Sequence, residues 1–219
     1  MEDITPGLIA SIKKDFNSRL MASTVIRRLS RKISNGTATY SDAMRYATEI
    51  GNLRAKTIKN QISSDILPDG RMYCNIAEQV INDSLGSDYK AIQEICNVAQ
   101  KNKNKAMKIG LKPFEESIDQ DNIDSIIDMV SASENYDDYS KMFETACGTF
   151  AKTVVDRNMK ANASNQARLG LKIVIQRIAG AGCCDWCSGL AGTYTIGKAP
   201  DDVWAHHNGC TCSVDYDKN

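Results

Sequence analysis

The chain has 219 residues, long enough to bury at least one sizeable core, with 27 Lys and Arg against 27 Asp and Glu. A formal net charge of zero excludes a global field that would draw the protein onto nucleic acid. No stretch approaches the roughly 20 apolar residues of a bilayer crossing, and the segment 1–16 lacks the apolar core of a signal peptide, so the expected compartment is a cytosol.

Residues 1–169 read as helix. Leu8, Ile12, Phe16 and Leu20, then Val25, Ile26, Leu29 and Ile33, recur at three-to-four spacing up to the turn Asn35-Gly36. Ser41 and Asp42 are expected to cap a second helix, whose stripe Met44, Ala47, Ile50, Leu53, Ile58 and Ile62 runs to the break Pro68-Asp69-Gly70. Two further segments, around 72–84 and 89–109, meet at Gly86, and the stretch from Gly110 to Pro113 stops the second. Ile118, Ile123, Ile126, Ile127 and Val130 mark a short acidic helix; Tyr139, Phe143, Ala146, Phe150, Val154 and Val155 mark a longer one reaching Arg168. Cys74, Cys96 and Cys147 fall on or beside these stripes and read as core packing.

At Gly170 the texture changes. Residues 171–178 are rich in β-branched side chains and bounded by glycines, which favours a strand, and 193–196 and 211–216 read as two more. The expected fold class is mainly α: a multi-helix region over 1–169, then a small zinc-stapled β-rich domain over 170–219. Charge is banded along it. Residues 1–60 hold eleven Lys and Arg against five acids, whereas 113–150 hold one against ten. Such bands fit helices facing oppositely charged neighbours or subunits, and equally fit solvated helix faces.

Five of eight cysteines and both histidines fall in the last 37 residues. In a reducing compartment such crowding points to metal ligation before disulfides. Cys184 and Cys187 have the Cys-x-x-Cys spacing that turns two thiolates onto one ion, and His207 with Cys210 or Cys212 supplies the second pair about twenty residues later. Cys210 and Cys212 share a face if the backbone is extended there, so either can be the fourth ligand. Cys183 reads as a non-ligand and His206 as a surface histidine pointing away from His207. Trp186 and Trp204 are placed to shield the ion, and Gly189, Gly192 and Gly209 read as turns.

Two catalytic uses of such a cluster fit less well. A thioredoxin-like pair opens a helix inside an α/β domain, whereas here glycines and a short strand are expected to follow Cys187. A zinc deaminase needs a His-x-Glu and a Pro-Cys-x-x-Cys that this chain lacks. A nuclease with His206 as general base keeps a chemical rationale.

The run from Cys183 to Tyr194, with Asp202, Val203 and Trp204, the His207-x-x-Cys210-x-Cys212 motif and Val214-x-Tyr216, resembles the C-terminal domain of Mu F-like phage minor head, or head morphogenesis, proteins. The resemblance covers residues 170–219; relatives tend to carry two basic residues before the histidine, where this chain has Ala205-His206. It implies a virion protein at the portal or capsid interior, present in the host cytoplasm during assembly, contacting portal, scaffold or coat protein, with no established enzymatic activity. The alternative expectation is a DNA-binding protein, or a zinc-dependent nuclease or effector delivered with the phage genome, for which the basic bands over 1–60 and 101–112 speak.

Overall fold

The computed structural model describes residues 3–207 and 210–219; Gly209, expected as a turn, lies outside them. Among the described residues the fold is mainly helical, with one small antiparallel sheet near the C-terminal end.

The first helical run breaks in two, α1 (Thr5–Ala22) and α2 (Thr24–Ser34). Ser23 turns extended, and its hydroxyl accepts the Ile26 N–H at 3.2 Å to cap α2. The sign of this break is the five-residue step from Leu20 to Val25, which slips the helical phase. Helix α3 (Tyr40–Gln61) opens on a capping box formed by Thr39 and Asp42 rather than by Ser41. Helix α4 (Cys74–Ala106) passes through Gly86 without a break. A helical glycine costs only about 1 kcal/mol relative to alanine, and the fully buried Val80, Ile81, Leu85, Ile92 and Ile95 on the same helix outweigh that. The helix ends where Lys108 turns left-handed, at φ 56°, and the Ile109 N–H donates back to the Asn104 carbonyl.

Helix α5 (Gln120–Ser131) is capped by Asp119, and α6 (Ser140–Arg168) runs through the middle of the body against α3 and α4. The α3–α6 approach is set by small residues. A Cβ on Gly51 would lie 2.8 Å from the Gly148 Cα and 3.3 Å from the Ala151 Cβ, so the backbones meet where neither glycine has a side chain. Arg54 of α3 and Asp88 of α4 form a two-pronged buried ion pair at 2.7 and 2.9 Å, with the Phe16 ring 3.6 Å beneath the guanidinium. Cys96 and Cys147 lie in the core as expected, while Cys74, on the first turn of α4, is exposed. Among the described residues no helix is long and apolar enough to cross a membrane.

After Gly170, left-handed at φ 90°, strand β1 (Ile173–Ile178) takes the centre of a sheet ordered β2 (Gly192–Thr195), β1, β3 (Ser213–Lys218). Both pairings are antiparallel, with Ile175 opposite Tyr194 on one side and Tyr216 on the other. Alternation sends Ile173, Ile175, Arg177, Val214 and Tyr216 inward. Their apolar members join one continuous buried cluster with the helices. Polar groups tie the same seam: Tyr216 Oη donates to Gln100 of α4 at 2.9 Å, the Gln100 amide donates to Asn104 at 2.6 Å, and Lys103 pairs with Asp215 at 2.7 Å.

Candidate metal centre

Strand β1 ends at Ile178 and the chain turns through Gly180 and Gly182, the latter at φ 70°. Glycine is required at 180 because a Cβ there would overlap Thr211. This close approach lays the Cys183–Cys187 segment beside the segment leading into β3. The Cys-x-x-Cys itself opens a five-residue helix, α7 (Asp185–Gly189), with Cys187 inside it, where glycines and a strand were expected to follow directly; the sheet beside it is three antiparallel strands and not the α/β domain of a thioredoxin-like pair. Cys184 stands just ahead of α7, and its carbonyl accepts the Ser188 N–H at 2.9 Å.

The sulfurs and one imidazole converge. His207 Nε2 lies 3.5 Å from Cys184 Sγ and 3.2 Å from Cys187 Sγ, and Cys187 Sγ lies 3.6 Å from Cys210 Sγ. Two overlapping sets, Cys184, Cys187 and His207, and Cys187, Cys210 and Cys212, each have their ligand atoms within 4.8 Å of one another. A tetrahedral ion held at about 2.3 Å by sulfur and about 2.0 Å by nitrogen has S···S edges of roughly 3.8 Å and S···N edges of roughly 3.5 Å. The observed separations lie close to those edges, so Cys184, Cys187, His207, Cys210 and Cys212 form a cluster that can hold a metal ion. Cys183 stays outside both sets.

The thiols of the cluster differ in how readily they ionise. The Cys187 N–H, and then His207, hold the Cys184 thiol below its ordinary range. Burial and the hydrogen bond with Cys210 push Cys187 up to about 12. Burial also opposes ionisation of Cys212, yet the Gly180 N–H at 3.5 Å and the neighbouring Cys187 and Cys210 bring it below the usual value. Thiols differing this much beside one imidazole form a set whose protons a cation can displace.

Two residues that sequence reasoning passed over complete the site. Arg177 is 2% exposed; its guanidinium donates to the Val203 and Ala205 carbonyls at 2.8 and 2.9 Å and reaches Cys187 Sγ at 3.5 Å. It fixes the segment carrying His206 and His207 and sets a positive charge beside the thiolates. The signal was its parity in the strand: 173, 175 and 177 share the inward face. Asp156 of α6 is the second. Its carboxylate meets His206 Nδ1 at 2.7 Å and accepts the His206 N–H at 3.1 Å, while His206 Nε2 lies 3.2 Å from the Cys212 carbonyl.

His206 does point away from His207, but into the core and not to the surface. The reason is that α6 passes beneath the loop and supplies a buried carboxylate. The His206 side chain is 3% exposed and both ring nitrogens already have partners, Asp156 and the Cys212 carbonyl. Trp186 lies edge-on to His207 with centroids 5.9 Å apart and covers the cluster on one side. Trp204 instead packs edge-on against Tyr216 in the core under the sheet. Gly189 lies inside α7, and Gly192 meets the Tyr194 ring at the start of β2.

No protein-family model matches the chain, and neither does any curated protein or solved structure.

Proposed function

We propose that the cluster holds one structural zinc ion, bound by Cys184, Cys187, His207 and Cys210 with Cys212 beside it, and that the chain is a minor head protein of a tailed phage. The zinc reading is carried by one observation: Cys187 belongs to two overlapping triads of donors, and its sulfur meets His207 Nε2 and Cys210 Sγ, as His207 meets Cys184 Sγ, at separations close to three edges of a thiolate–imidazole tetrahedron. Three thiolates around a divalent ion leave one net negative charge, which the buried Arg177 beside Cys187 offsets. Cys210 is assigned as the fourth ligand on its 3.6 Å approach to Cys187 Sγ, close to a tetrahedral edge, with Cys212 in the same triad beside it. A filled tetrahedron leaves no position for water, so the site is structural and not catalytic.

The phage-head reading is supported by the likeness of residues 170–219 to Mu F-like minor head proteins. In that reading the zinc-stapled segment and the helical body together dock on portal, scaffold or coat protein inside the assembling head.

Elemental analysis of protein purified under reducing conditions tests the first part. One zinc per chain is expected, lost in Cys184→Ser, Cys187→Ser, His207→Ala and Cys210→Ser and kept in Cys212→Ser. Metal-free protein of unchanged stability refutes the zinc reading. Cosedimentation with phage procapsids assembled from co-expressed portal, scaffold and coat proteins tests the second; a protein that stays wholly unassembled with all three refutes it. The alternative of a DNA-binding protein draws on Arg27, Arg28 and Arg31, exposed together on α2, and predicts binding that weakens steeply with salt.

A further inference from the structure

Two surface features match one another. One is the corner where α1 meets α2. Met21 there is 77% exposed, and the adjoining α2 carries the exposed Arg27, Arg28 and Arg31. Among the described residues no carboxylate lies within ion-pairing distance of these three arginines; Lys32 of the same helix pairs with Asp42.

The other is a groove of about 610 Å³ between α5 and α6, lined by Met129, Ala146 and Phe150 with Met142, 53% exposed, beside them. Asp138 lines it too, the exposed Asp121 and Asp128 adjoin the lining residues Asn122 and Met129 on α5, and Glu134 is exposed on the turn that follows; none of these is in an ion pair among the described residues. Lys141 is the cation among the lining residues. Among the described residues the basic band over 1–60 forms no ion pair with the acidic band over 113–150, whose Glu116 and Asp119 pair with Arg157 instead, since α2 packs on α1, α3 and α4 while α5 packs on α4 and α6. Each faces outward next to exposed methionine, which is the composition of an interaction surface: an apolar centre with a charged rim.

We propose that the α1–α2 corner of one copy docks in the α5–α6 groove of a second copy. Met21 enters beside Met129 and Met142, whose unbranched thioethers adapt to an irregular contact. Arg27, Arg28 and Arg31 face the carboxylates of the partner's groove, where charge-assisted hydrogen bonds form. The two patches are different surfaces of the chain, so the contact is head-to-tail and propagates into a ring or an open array. Nucleic acid would satisfy the arginines but leave Met21 and the groove bare, which favours a second copy as the occupant. This assembly depends on neither the metal nor the phage reading.

Sedimentation velocity on the full, metal-replete chain tests it, over a range of concentrations at low and high salt. Concentration-dependent assembly that weakens at high salt is expected. Met21→Asp and Met142→Asp should each weaken self-association roughly tenfold or more by placing a carboxylate in the apolar centre. Arg27→Glu with Arg28→Glu should abolish it, and adding Asp128→Lys with Asp138→Lys to that variant should restore it. All six positions are exposed or on the surface rim, and an unchanged melting curve verifies folding. A monomer at every concentration and salt overturns the proposal. Assembly indifferent to both methionine variants also overturns it, as does a monomer that binds duplex DNA through Arg27 and Arg28.

Discussion

The carboxylate of Asp156 is the point at which the helical body grips the ligand-bearing loop. It receives both the backbone N–H and the Nδ1 side of His206, the residue adjoining His207, and the far side of the same ring meets the carbonyl of Cys212. Asp156→Asn keeps one acceptor oxygen for the His206 N–H but sets an NH₂ against Nδ1, leaving one buried polar contact without the carboxylate's charge at about 1–3 kcal/mol. Asp156→Ala leaves two, at about 2–6 kcal/mol. If Asp156 also positions the ligands, the asparagine variant loses a second quantity: outer partners of metal ligands are typically worth 10–100-fold in affinity. That corresponds to about 1.4–2.8 kcal/mol less stabilisation by bound metal. Urea unfolding of wild type and Asp156→Asn, each metal-loaded and chelated under reducing conditions, separates the two losses. The expected result is a larger destabilisation of the loaded form than of the chelated form. Equal destabilisation of both, with metal affinity unchanged, would refute the positioning role and leave Asp156 as an anchor of the core alone.

Two glycines should respond in opposite senses. Gly51→Ala puts a methyl group 2.8 Å from the Gly148 Cα and should cost about 1–3 kcal/mol, whereas Gly86→Ala, in open space on α4, should add up to about 1 kcal/mol; thermal unfolding reads both. Arg54→Ala strands Asp88, whose carboxyl burial pushes up and Arg54 pulls back down, and should cost about 3–5 kcal/mol, while Arg54→Met with Asp88→Leu should cost far less. Burial opposes ionisation of Asp42, yet Lys32 and Thr39 hold its carboxyl below the usual range, so its contribution to stability is present above the ordinary aspartate value and lost as pH falls through the lowered one. Asp42→Asn should therefore destabilise by about 1 kcal/mol at neutral pH and converge with wild type in strong acid, as followed by circular dichroism.

The helices were legible because their apolar residues recur with the period of the surface they bury; Ile50, Leu53 and Ile58 sit in the core where the stripe of α3 places them. Boundaries were legible only where a local signal competes with that period. Gly86 looks like a break in the sequence but lies in a helix long enough to absorb it. Ser23 looks unremarkable, yet it ends α1 by taking the extended conformation that its side chain needs to cap α2. In the tail, cysteine and histidine spacing marked all five donors that converge. It could not mark Asp156, because that partner is fifty residues away from His206 in sequence and comes into reach only when the sheet docks on α6.

The distribution of burial in the tail explains why a metal would sit where the donors are. The inner face of the sheet needs no staple: Ile173, Ile175, Val214 and Tyr216 share the core of the helical body, and Tyr216 reaches Gln100. The loops beyond it have no such resource. Between 179 and 191 Cys187 is the single buried residue, so that segment has almost no apolar area with which to offset the entropy of ordering its backbone. What fixes it is polar: the Arg177 guanidinium, the Gly180 N–H on Cys212 and the meeting of sulfurs with His207. A metal ion at that meeting point would supply cohesion to a segment that burial does not hold, and Asp156 and Arg177 would carry that cohesion back into the core.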